Sequence, residues 1–108
     1  MNDNNIMKFL VLNNAPMHLK GFVCLCRSIE IVSLDYNKVF SIEKEVYSVI
    51  ARENHSTTDR VNRNIRTVIE SMFNRGDDKL YSYFNYISES KGKPTNKEFI
   101  AVIASMFK

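Results

Sequence analysis

The sequence predicts an all-α, single domain of six helices that contains a helix-turn-helix, and three observations predict it. Val61, Ile65, Val68, Ile69, Met72 and Phe73 recur at i, i+4, i+7, i+8, i+11 and i+12, one stripe of the 3.6-residue period. Residues 17 to about 36 are apolar over more than half a helical circumference, the pattern of a central core helix. Two stretches, Ser56-Thr57-Thr58-Asp59 and Thr95 with Glu98, carry the hydroxyl and carboxylate spacing that opens a helix. No run reads as a convincing strand. A chain of 108 residues, 44% hydrophobic and 25% charged, is large enough for one core but not two, so residues 1–108 form one unit.

In chain order, residues 1 to 5 are polar and expected to fray. Ile6, Phe9 and Leu10 make one face of a short first helix, which Asn13-Asn14-Ala15-Pro16 ends. The second helix carries Leu19, Phe22, Val23, Cys26, Ile29, Ile31 and Val32 as its core set. Gly21 inside it costs about 1 kcal/mol relative to alanine, which predicts a close helix contact there. Leu34-Asp35-Tyr36-Asn37 breaks the pattern. Ser41 with Lys44 and Glu45 opens a third helix, whose Ile42, Val46, Val49 and Ile50 form a short stripe ending near Asn54. After a tight turn the fourth helix runs over about 58–75 and closes at Arg75-Gly76, a cation and then a residue that tolerates left-handed geometry. Asp77-Asp78 cap a short fifth helix with Leu80, Tyr83 and Phe84. A polar loop from Ser88 to Lys93 leads to a last helix that turns Phe99, Ile100, Ile103, Met106 and Phe107 inward.

The third and fourth helices, about 42–75, have the proportions of a DNA-binding helix-turn-helix. Arg60, Arg63 and Arg66 project from the side opposite the apolar stripe, together with Asp59, Asn64, Thr67 and Glu70. Three arginines against one aspartate leave a net +2 between Asp59 and Arg66, whereas the whole chain is only +3. The local cluster, not the total charge, therefore points to nucleic acid. Its plain alternative is a solvated helix face.

Other functions find little support. Cys24 and Cys26 stand one residue apart in an apolar stretch, and only His18 and His55 could complete a zinc site, at spacings that match no common one. A reduced, partly buried cysteine pair and no metal or cofactor are expected. No nucleophile and base constellation, paired carboxylates or glycine-rich phosphate loop points to catalysis. The apolar run at residues 6–12 is short, interrupted by Lys8 and flanked by Asp3, so it reads as neither signal peptide nor membrane span, and a cytoplasmic protein is expected.

The run Ala15-Pro16-Met17-His18-Leu19-Lys20-Gly21-Phe22 resembles the Pro-Ala-His-Ile-Lys-Gly-Tyr signature of a known family. That family is the C-terminal effector domain of the stage-zero sporulation master response regulator of endospore-forming Firmicutes. Arg60-Val61, Arg63, Ile65-Arg66, Ile69-Glu70, Arg75-Gly76 and Lys93-Pro94-Thr95-Asn96 with Glu98-Phe99-Ile100-Ala101 match it in the same order, over nearly the whole chain. The resemblance implies a six-helix domain whose fourth helix enters the major groove of a short TGTCGAA-like box. Family members carry a phosphorylatable receiver domain ahead of this one. Here Met1 stands immediately before the first effector helix, as in a stand-alone regulator or a fragment.

By the same resemblance the arginine matching Arg60 reads a guanine, and Arg63 lies in the same groove-facing helix. Both suit the bidentate geometry of arginine at guanine O6 and N7. Arg66 is expected at a phosphate, and Ser56, Thr57 and the first-turn N–H groups can hold another. The family has glutamate where this chain has Asn62, and small residues at Thr58 and Asp59. Asparagine prefers adenine, and the added carboxylate weakens general affinity. His18 and Lys20 are expected to fix the second helix against the fourth by hydrogen bonds. Lys91, Lys93 and Lys97 are candidates for phosphate or for a neighbouring subunit. Two functions stay open: a transcription regulator acting on double-stranded DNA, alone or as a dimer on tandem boxes, or an antagonist that pairs with the full-length sporulation regulator or blocks its operators.

Overall fold

A computed structural model describes residues 2–75, 78–84 and 92–108. Six α-helices follow in order among the described residues: α1 (Asn2–Leu12), α2 (Lys20–Leu34), α3 (Ser48–Glu53), α4 (Thr58–Arg75), α5 (Asp78–Ser82) and α6 (Asn96–Ser105). A 3-10 helix (Tyr36–Ser41) and a π-helical stretch (Glu43–Tyr47) join α2 to α3, and no strand occurs among the described residues. Gly76, Asp77, Lys91 and the loop expected from Ser88 lie wholly or mostly outside the described residues.

Helix α2 is the central element, packed against α1, α4 and α6. Its buried side includes Phe22, Cys24, Leu25, Ile29, Ile31 and Val32. Val23, expected inside, is 61% exposed; the inner face is rotated so that Cys24 and Leu25 take its place. Neither cysteine is in a disulfide. Burial pushes the Cys24 thiol up from its ordinary pKa, so it stays protonated. The buried Ser28 hydroxyl donates to the Leu25 carbonyl at 2.8 Å and so adds no unpaired polar group.

Gly21 sets how closely α2 approaches α4. A Cβ built there would stand 1.9 Å from the Asn64 carbonyl oxygen and 2.8 Å from Val68 Cγ2. Backbone therefore packs on backbone, and only glycine fits. The expected close contact is present, and it brings all six stripe residues of α4, Val61 to Phe73, into the core.

Helix α1 begins at Asn2, so four of the five residues expected to fray, Asn2 to Asn5, lie within a helix. Asn13 Nδ2 donates to the Phe9 carbonyl at 2.9 Å, and Asn14 with φ 71° turns the chain away. Before α3 the helix widens: Ser48 N–H donates to the Glu43 carbonyl five residues back. One extra residue in that turn rotates the following face, so Tyr47 is buried beside Val46 while Val49 is only half-buried. At the far end Phe73 meets Tyr81, Phe84 and Phe99 edge-on, with ring centroids 5.0–6.2 Å apart, joining α4, α5 and α6. The expected capping box opens α6: Glu98 N–H donates to Thr95 Oγ1 at 3.1 Å, and Thr95 N–H to Glu98 Oε1 at 2.8 Å. Past its end Met106, expected inward, is 45% exposed.

Arg27 spans from α2 to the end of α3, donating to both oxygens of Glu53 at 2.8 and 3.1 Å and to Glu30 at 2.7 Å. Those bonds hold the Glu53 carboxyl below its ordinary pKa.

Two outcomes are expected. Gly21→Ala gains helix propensity yet loses about 1–3 kcal/mol of stability, because its methyl meets a backbone carbonyl rather than a flexible side chain; denaturant unfolding measures it, and a variant as stable as wild type would mean that the two helices are free to separate. Because the Glu53 pKa is lowered on folding, its contribution is present above the unfolded carboxyl pKa and is lost as pH falls through the folded one. The side chain is 41% exposed, so the effect is about 0.5 kcal/mol; Glu53→Gln should flatten that part of the stability–pH curve.

Candidate nucleic-acid interface

Helix α3 ends in a Schellman turn. His55 sits at φ 51°, its N–H reaches the Arg52 carbonyl at 3.4 Å, and Ser56 N–H reaches the Ala51 carbonyl at 2.8 Å. Thr57 then caps α4, its Oγ1 accepting from Arg60 N–H at 3.2 Å. Ser56 and Thr58 are half-buried beside this cap, and Asp59 is exposed in the first turn. The helix-turn-helix is thus a short α3, a four-residue turn from Asn54 to Thr57, and the 18-residue α4.

With about 100° between successive residues, Arg63 falls near the middle of the exposed arc of α4. Arg60 stands on the margin facing α2, where Lys20, Asn54, His55, Ser56 and Asn64 complete a cleft of about 440 Å³. Asn62 stands on the opposite margin, facing α6, in a hollow of about 430 Å³ that Glu43, Tyr47, Arg66, Asn96 and Lys97 help to line. The exposed surface of α4 is therefore a ridge between two hollows.

The three arginines divide into two kinds. Arg60 and Arg63 are exposed and have no ion-pair partner among the described residues. Arg66, expected at a phosphate, has protein partners: Nη1 donates to the buried Pro94 carbonyl at 2.6 Å and, at a longer 3.4 Å, to Asn96 Oδ1, while Nε donates to Glu70 at 3.1 Å. Asn96 completes this junction. Its Nδ2 donates to the Asn62 backbone carbonyl at 2.9 Å and to Asn62 Oδ1 at 2.7 Å. Beneath it Tyr47 is pushed up to about 12 by burial, against the pull of its hydrogen bond with Asn96 and with some help from Glu43.

Asn96 and Tyr47 are absent from the sequence-level site. Asn96 stood in the sequence only as part of the family-like run from Lys93 and as the first residue of a helix already capped by Thr95. The His18 and Lys20 side chains are exposed and hydrogen-bond to no described residue, which corrects their expected role: Gly21, not they, fixes α2 against α4. Lys97 lies 6.0 Å over the Phe40 ring, and Lys93 is half-buried.

This geometry belongs with a family likeness that spans almost the entire chain. Residues 6–107 match the family described as Sporulation initiation factor Spo0A C terminal. The chain belongs to that family. At family level it is therefore a DNA-binding regulatory domain and not a member of an enzyme family, and its partner is DNA. The described residues contain no group of side chains able to hold a metal ion and no helix long and apolar enough to cross a membrane.

Arg60 and Arg66 should behave differently on truncation. Arg66→Ala strands the buried Pro94 carbonyl and lowers stability by about 1–3 kcal/mol, whereas Arg60→Ala removes no packing and leaves the melting temperature unchanged. Thermal unfolding of the two variants checks this, and equal losses would mean that Arg60 too is structural.

Proposed function

We propose that this chain is a sequence-specific transcription regulator whose α4 ridge enters the major groove of a TGTCGAA-like box. The observation that carries the reading is the pair Arg60 and Arg63, exposed in the first turns of α4 and unpaired among the described residues, while Arg66 is tied down. An unpaired guanidinium keeps all its donors for a duplex, and bidentate contact with guanine O6 and N7 is worth about 1–3 kcal/mol of discrimination. The dimensions agree: a helix about 10–12 Å across fills a groove about 12 Å wide.

In this reading Arg60 and Arg63 read bases, Asn62 lies beside them, and Thr58 and Asp59 border the contact. Ser56, Thr57 and the first N–H groups of α4 meet a phosphate on one wall of the groove, together with Lys20. Lys97 and Lys93 meet the other wall. Arg66 supports the ridge from behind instead of touching DNA.

Binding should then depend steeply on salt. Each neutralised phosphate contributes roughly 0.9 to the slope of log affinity against log salt, and Lys97→Ala should lower that slope by about one such contact without altering base preference. Fluorescence anisotropy with the purified chain and a box selected from a random library measures both. A flat salt response, or no selected box at all, would overturn the reading.

A further inference from the structure

We propose that Asn96 is a positioning residue for base recognition: it holds the oxygen of the Asn62 carboxamide and so turns only the Asn62 amino group toward DNA, making this chain reject cytosine at one position of its box. This rests on the reading of α4 as the helix that enters the groove.

An amide side chain can face either way, so its orientation has to follow from its partners. Here those partners leave no choice. The Asn62 backbone carbonyl can only accept, so the Asn96 atom 2.9 Å away is its nitrogen. The Arg66 guanidinium can only donate, so the Asn96 atom it faces is the oxygen. The nitrogen of Asn96 then meets the Asn62 side chain at 2.7 Å, and Asn62 has to present its oxygen there. Asn96 is itself buried, at the start of α6, where the Thr95–Glu98 capping box fixes the backbone. Asn62 is exposed, and its amino group has no partner among the described residues.

An unrestrained asparagine offers a donor and an acceptor side by side and suits adenine N6 and N7. With its oxygen turned toward α6, Asn62 offers a donor alone. Guanine N7 and O6, adenine N7 and thymine O4 accept such a donor in the major groove; cytosine N4 is a donor and repels it. Asn62 therefore does not relax the preference of the family's glutamate, which accepts from cytosine. It inverts that preference, and the adenine selectivity expected of a free asparagine does not arise.

The test measures binding of wild type, Asn62→Asp and Asn96→Ala to the selected box with each of the four bases at every position, with melting temperatures recorded alongside. Wild type should disfavour cytosine about tenfold at one position. Asn62→Asp keeps an oxygen for Asn96 and turns the other outward, so cytosine should become the favoured base at that same position. Asn96→Ala should erase the rejection of cytosine there while the guanine read by Arg60 stays required. The idea is overturned if wild type tolerates cytosine at the position that Asn62→Asp alters, or if Asn96→Ala folds and keeps the wild-type preference. Should Asn96→Ala fail to fold, the wild-type and Asn62→Asp preferences decide alone. Absence of any specific binding by wild type would bring down the DNA reading itself, and this one with it.

Discussion

The contact between Gly21 and the Asn64 carbonyl governs the arrangement of this domain. Side chains normally hold two packed helices apart; here one helix offers no side chain at the crossing, and the other lays its backbone against it. That approach lets the apolar stripe of α4 sink completely beside α2 and leaves its polar arc standing as a ridge. It also explains a glycine in the interior of a core helix, where propensity disfavours it by about 1 kcal/mol. Proximity won over propensity because the alternative is a steric overlap with a backbone atom that cannot rotate away.

A crossing fixes distance but not rotation, and α4 is held against rotation at two further places. The ring cluster about Phe73 grips its C-terminal half from α5 and α6. Pro94 and Asn96, at the start of α6, hold its N-terminal half through Arg66 and Asn62. Neighbouring arginines on one helix thus do opposite work. Arg66 satisfies a buried carbonyl and cannot leave without stranding it; the Arg60 and Arg63 guanidinium groups have no partner among the described residues, which is what leaves them available. Charge clustering alone could not separate the two kinds.

What was legible in the sequence followed from strict local rules. The stripe from Val61 to Phe73 obeys the helical period residue for residue, Thr95 and Glu98 form the box their spacing announces, and an interior glycine signalled close approach. What was hidden depended on partners distant in the chain. Tyr47 is buried because one widened turn rotates its face, and nothing in the local pattern marks the extra residue. Val23 and Cys24 exchange places because the core of α2 is set by three neighbouring helices rather than by its own period. The turn before α4 carries histidine at a left-handed position where glycine or asparagine is the usual sign. Pro94 and Asn96 act on Arg66 and Asn62 of α4 from about thirty residues away, beyond the reach of any spacing rule.

Because α4 is gripped at its middle and at both ends, the surface proposed to meet a duplex has already surrendered most of its freedom before any encounter. If Arg60 and Arg63 read bases as proposed, ordering on association falls on a few long side chains, those two first, at about 0.5–1.5 kcal/mol each. A helix that formed only on contact would owe the ordering of its whole backbone as well, and would announce it by a large heat-capacity change. In the proposed reading the clasp on α4 makes this domain a rigid reader, whose encounter with DNA releases ions and water while the protein scarcely rearranges.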